Sequence, residues 1–116
     1  MPLQIFQKQQ MEEEYPEIAR EYKKILKEQY ELFAGKMLDY GLDNISMGTR
    51  LETQDEKKLS LTAVWIRMND KMNRLKNLVL LGKENRVADE STTDSYRDIT
   101  NYGIIAQIVQ NGMWKK

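Results

Sequence analysis

Apolar residues return every three or four positions along most of this chain, and no stretch alternates in twos. That spacing is the period of a helix, and it rules out a half-buried sheet as the organising element. From Glu12 to Tyr40 the apolar positions are Tyr15, Ile18, Tyr22, Ile25, Leu26, Phe33, Met37 and Tyr40, with charged residues between them. This predicts one long amphipathic helix, or two with a break near Gly35, with Pro16 inside the first turn or marking a slightly later start, and Gly41 closing it. Leu42 to Asp55 lacks periodicity and reads as a loop. A second helix is expected from about Lys58 to Leu81, ended by Gly82, on the stripe Leu61, Val64, Trp65, Met68, Met72, Leu75, Leu78 and Val79. A third opens at Asp89 or Ser91, both good N-caps, and runs to about Gln110 with Ile99, Tyr102, Ile105, Ala106 and Val109 inward. The fold class is therefore all-α: a bundle of three or more long helices in a single domain over residues 1–116.

Composition removes several chemistries. The chain has no cysteine and no histidine, so disulfides, thiolate metal sites, imidazole bases and ordinary zinc sites are out, and any metal would be a hard cation on oxygen ligands. Its 18 basic and 18 acidic residues cancel, which argues against strong nucleic-acid binding driven by net charge. No apolar run approaches the ~20 residues of a membrane span. Met1-Pro2-Leu3-Gln4 has neither the basic start nor the apolar stretch of a secretory leader. The expected location is cytoplasmic (the host cytoplasm, if phage-encoded).

Glu90, Asp94, Asp98 and Asn101 are spaced four, four and three, so a helix gathers them into one oxygen-bearing strip. Like charges at that spacing repel by roughly 0.2–0.5 kcal/mol per pair, and a divalent cation relieves the repulsion; Mg²⁺ characteristically takes one or two carboxylates and leaves room for phosphate. A structural account competes. The helix dipole explains Asp89 and Glu90, and Asp94 can pair with Arg97, although neither argument reaches Asp98 or Asn101. On the second helix Arg67, Asp70, Lys71 and Arg74 form a charged strip suited to phosphate, or to an ordinary solvated face. Charged strips that border apolar stripes meet at the edge of a seam. Asp98 is therefore expected close to Asp94 and facing Asp70, Lys71 or Arg74. Trp65 and most methionines read as core, whereas Trp114 lies in a short tail. Ile5, Phe6 and Trp114 have no evident cover, which predicts a homo-oligomer.

Three segments, Lys36-Met-Leu-Asp39-Tyr40-Gly41, Arg67-Met-Asn-Asp70-Lys71-Met-Asn-Arg74-Leu75 and Asp89-Glu90-Ser91-Thr-Thr-Asp94-Ser-Tyr-Arg-Asp98-Ile-Thr-Asn101-Tyr102, together resemble the phage nucleotide modification associated domain of the first type. The resemblance spans residues 36 to 102 and is most specific in its last segment. It implies a place in nucleotide metabolism or DNA-base modification, and a nucleotide or nucleotide-derived ligand. More distantly the pattern is similar to the MazG-type all-helical nucleotide pyrophosphohydrolases, which hold Mg²⁺ with a Glu-x-x-Glu pair on one helix and a Glu-x-x-Asp pair on the next. Here Asp98-x-x-Asn101 stands in for the second pair with an amide in place of one carboxylate. Asp70 is the only plausible acid on the preceding helix, and Glu28-x-x-Glu31 lies far off on the first. The tryptophan expected soon after Asp39-Tyr40-Gly41 is absent, with Asp43 and Asn44 in that stretch. Carried onto this sequence, the resemblance implies a Mg²⁺-dependent nucleotide pyrophosphohydrolase or relative. Glu90, Asp94, Asp98 and Asn101 would hold metal, Asp70 and Asp98 would act in catalysis, and Lys36, Arg67, Lys71 and Arg74 would neutralise phosphates. Asp39, Tyr40 and Tyr102 would contact the nucleotide. The alternatives are a non-catalytic module that binds or sequesters a nucleotide, and a structural oligomer whose strips are salt-bridge networks.

Overall fold

The computed structural model describes residues 3–116. Among the described residues there is no strand, and helix accounts for 76 % of them. Five α-helices follow in order: α1 (Leu3–Glu14), α2 (Pro16–Tyr40), α3 (Asp43–Ser46), α4 (Gln54–Leu75) and α5 (Thr92–Gln110), with a single π-helical turn over Lys76–Leu80 prolonging α4. The chain divides into two compact units, residues 1–35 and 36–116.

In the first unit, helix begins at Leu3, well before Glu12, and its interruption lies at Tyr15 instead of Gly35. Proline decides the position. Pro16 has no N–H to offer the preceding turn, whereas a glycine inside a helix costs only about 1 kcal/mol and keeps its hydrogen bond. Helical bonds still flank the break, Tyr15 N–H to Met11 O at 2.8 Å and Ala19 N–H to Tyr15 O at 3.0 Å. The Lys23 ammonium reaches back to Glu12 Oε1 at 3.1 Å.

In the second unit, α4 and α5 pack along each other and α3 packs on α4. The buried side chains here include Ile45, Leu51, Val64, Leu75, Ile105, Val109 and Trp114, with Ser60 and Ser95 wholly inaccessible. Ser60 satisfies its hydroxyl on Ile45 O at 2.6 Å, fixing α3 to α4. The segment expected as pure loop thus contains the helical turn α3. Helix α4 begins at Gln54, four residues before the expected Lys58, because Thr53 and Glu56 close a capping box: Glu56 N–H donates to Thr53 Oγ1 at 3.1 Å and Thr53 N–H to Glu56 Oε1 at 3.1 Å. Its far end widens into the π turn, where Leu81 N–H reaches Lys76 O, five residues back, at 3.0 Å.

Two tryptophans correct the sequence reading. Trp65 is 63 % exposed, because α5 covers the Val64–Leu75 side of the α4 stripe and leaves the Trp65–Met72–Val79 row outside. Trp114 is only 8 % exposed and is not an uncovered tail residue. Helix α5 ends in a Schellman motif, with Gly112 at φ +71°, Gly112 N–H on Val109 O at 3.1 Å and Met113 N–H on Ile108 O at 3.0 Å. A left-handed residue is needed there, and glycine supplies it without a Cβ clash. The reversed chain delivers the Trp114 indole N–H to Leu42 O at 3.1 Å. Ile5 and Phe6 do remain exposed.

Candidate functional site

The polar strips of α4 and α5 meet along the edge of their shared apolar seam. Asp98 faces Lys71 across it, Oδ2 to Nζ at 3.1 Å, as the spacing predicts. Lys36, from the last turns of α2, reaches the other oxygen, Oδ1, at 3.4 Å. One carboxylate therefore sits between two ammoniums. Lys71 is shared in turn, with Glu90 Oε1 at 3.3 Å on its other side. Burial disfavours the Lys71 charge, but its hydrogen bonds and charge interactions with Asp98, then Glu90, outweigh that and leave its pKa raised above the ordinary 10.5.

Arg74 has a different task. Its Nη1 donates to Ser91 O at 3.0 Å and Ser95 Oγ at 2.8 Å. Its Nη2 donates to Asn85 Oδ1 at 3.2 Å and to Glu90 O. Asn85 closes the knot by donating to the same Glu90 carbonyl at 2.9 Å. The guanidinium fork thereby staples the connection between the π turn and α5 onto α4, a geometry a lysine cannot reproduce. Arg67 lies two turns earlier and donates from Nη2 to Asn44 O at 2.8 Å; among the described residues it forms no ion pair with a carboxylate.

The carboxylate strip does not act as one set in this arrangement. Asp94 is the N3 residue of α5 and accepts from Ser91 N–H at 3.0 Å, while Ser91 Oγ accepts from Asp94 N–H at 3.2 Å. That backbone bond, chiefly, lowers the Asp94 pKa below its ordinary 3.8, with smaller help from Arg97 and Arg74. Asn101 is buried, Tyr102 is half-buried, and Asp39, Tyr40 and Asp70 are exposed. Among the described residues no three acidic side chains are placed to hold a metal ion together. Glu90 and Asp98 come nearest to sharing a cation, since both touch the Lys71 ammonium. Sequence reasoning missed Asn85, Ser95 and Asn44. Asn85 and Asn44 lie outside the long periodic segments, and Ser95 carries no charge to mark it.

The model of nucleotide modification associated domain 1 matches residues 36–109. The chain belongs to that family. The match covers most of the chain, holds every residue of the Lys36–Lys71–Asp98 cluster, and begins at the first residue of the second compact unit. No curated protein and no solved structure matches the chain. No helix among the described residues is long and apolar enough to cross a membrane.

Proposed function

We propose that residues 36–116 form a nucleotide-binding domain that grips the ligand's phosphates with Lys36, Lys71 and Arg67, with Arg74 holding the loop that frames the site. One observation carries the reading: two ammoniums converge on a single carboxylate at the seam edge, while Arg67 adds a charge paired with no acid among the described residues. Lys36, Lys71 and Arg74 face Asp98 and Glu90 there, three positive charges against two, and phosphate oxygens are the natural complement of lysine and arginine donors. The family's association with nucleotide modification supports a nucleotide as the ligand class.

We place binding ahead of hydrolysis, because both oxygens of Asp98 are held by ammoniums and Asp94 is committed to its cap. The Mg²⁺-dependent pyrophosphohydrolase reading is the second. It is favoured by Glu90 and Asp98 flanking one cation position from two sides, since two carboxylates are a donor set Mg²⁺ accepts. In that reading Glu90 and Asp98 would hold the ion, which would supply Lewis-acid stabilisation of the phosphate charge, and Lys71 would bind phosphate.

A thermal-shift panel of pyrophosphate and nucleoside di- and triphosphates, with and without Mg²⁺, followed by phosphate-release assays on the hits, tests both readings. Binding without turnover is the expected result. Mg²⁺-dependent release of pyrophosphate would establish the second reading. No stabilisation by any phosphate, with or without the metal, would overturn both.

A further inference from the structure

Within the second unit, side chains from two places hold the link between α2 and α4 by its carbonyls. Asn44 O accepts from Arg67 Nη2 at 2.8 Å and Ile45 O from Ser60 Oγ at 2.6 Å, both donors standing on α4. Leu42 O accepts instead from the Trp114 indole N–H, beyond α5, at 3.1 Å. What precedes Leu42 gives that bond its interest. Gly41, at φ +72°, closes α2 with its N–H on Met37 O at 2.9 Å, and Lys36 stands one residue ahead of that turn. No residue from 36 to 44 is buried, so this stretch has no core anchor of its own before Ile45. Ordering a lysine side chain carries a large entropic cost. The 3.4 Å contact of Lys36 with Asp98 therefore depends on its backbone being held from elsewhere.

We propose that Trp114 is a positioning residue: its bond to Leu42 O fixes the end of α2 and thereby holds Lys36 on Asp98. The indole suits the task. It is a donor only, so it engages a carbonyl without competing roles, and its ring is itself buried. The left-handed Gly112 aims it. The other cations of the cluster do not depend on it, because Lys71 and Arg74 stand on α4 and meet Glu90, Ser95 and Asp98 directly. Loss of the indole bond should loosen one arm of the cluster and spare the other. That a displaced Lys36 then grips phosphate less well rests on the phosphate reading above, whereas its place beside Asp98 does not.

Zero-length carbodiimide coupling of the full chain reads the contact without any ligand. The activated Asp98 carboxyl is captured by the amine beside it as an amide, which peptide mass spectrometry locates. The parent chain should give Lys36–Asp98 and Lys71–Glu90 links. Trp114→Phe keeps a ring in the buried place but has no N–H. It should lower the first link about fivefold, as the loss of an ordinary hydrogen bond allows, and leave the second unchanged. Gly112→Val, strained at φ +71°, should do the same by misdirecting an intact Trp114, and Gly112→Asn, which tolerates that φ, should keep the parental yield. Titration with pyrophosphate adds a double-variant cycle: Trp114→Phe should weaken binding in the parent background and not in Lys36→Met. A parent chain without the Lys36–Asp98 link, a Trp114→Phe chain with that link at parental yield, or an equal loss of binding in both backgrounds overturns the proposal. No pyrophosphate binding by the parent chain would overturn the phosphate reading instead, and the link yields would still decide whether Trp114 positions Lys36.

Discussion

Replacing Arg74 separates a structural clasp from a phosphate ligand. Its guanidinium makes four hydrogen bonds, to Ser91 O, Ser95 Oγ, Asn85 Oδ1 and Glu90 O, and its side chain is 17 % exposed. Two of those bonds lie in solvent and are worth little. The two part-buried ones are charge-assisted, at roughly 1.5–3 kcal/mol each, and losing them strands the Ser95 hydroxyl, which has no solvent access. Arg74→Met should therefore cost about 3 kcal/mol. With an unfolding entropy of about 2.1 cal/mol/K per residue, that lowers the melting temperature by about 12 °C. Arg74→Lys should recover less than half of the loss, because a single ammonium cannot reach acceptors on both arms of the fork. Differential scanning calorimetry and urea unfolding measure the loss, and isothermal titration with pyrophosphate on the folded lysine variant measures binding. A loss below about 1 kcal/mol, or full rescue by lysine, would refute the clasp. Loss of pyrophosphate binding in a lysine variant of parental stability would make Arg74 a ligand instead.

Asp98→Asn removes the acid between Lys36 and Lys71. It should cost about 1 kcal/mol of stability yet tighten pyrophosphate binding several-fold in titration calorimetry; weaker binding would point to metal coordination by Asp98. Lys71→Met should abolish pyrophosphate-induced stabilisation in a thermal-shift assay, and an unchanged response would remove Lys71 from the site. Ser91→Ala should destabilise by about 1 kcal/mol in urea, as the loss of an N-cap hydroxyl does, and no loss would discount the capping box. The raised Lys71 pKa means its ion pairs contribute in full below the ordinary value of 10.5 and fade as pH rises through the higher folded one, so Lys71→Met should flatten the alkaline limb of stability. Asp94 is the opposite case: its lowered pKa gives a contribution present above 3.8 and lost as pH falls through the folded value, which urea midpoints for Asp94→Asn at acid pH would report.

The helices and the central charge contact were legible because both follow from periodicity. Asp98 and Lys71 each border an apolar stripe, and stripes that pack bring their borders together. The start of α4 was also written in the sequence, as Thr53-x-x-Glu56, but the weak apolar pattern of its first turn drew the expected boundary inward. The Pro16 break was visible as a proline, and its lost hydrogen bond outweighs the mild helix penalty of Gly35. Trp65 shows the limit of the stripe argument. The α4 stripe is wider than the face one neighbouring helix can cover, and period alone does not say which edge stays out. The partners of Arg74 were beyond reach because they include backbone carbonyls of an aperiodic connection, and a carbonyl's aim is fixed by chain geometry, not by residue type.

The π turn at Lys76–Leu80 acts as a phase shifter. A helical turn closed by a five-residue bond holds one residue more than its neighbours, so everything downstream is rotated by about 100° from where a regular helix would carry it. The acceptors that Arg74 grasps all lie downstream of that turn. Gain or loss of one residue within 76–80 would reset the phase and swing Asn85 and the Glu90 carbonyl off the guanidinium, with no change to any residue of the site. Family members differing in length by one at this point should therefore have lost the arginine staple or rebuilt it from other residues, and single-residue deletions there should unfasten the loop while α4 itself stays helical.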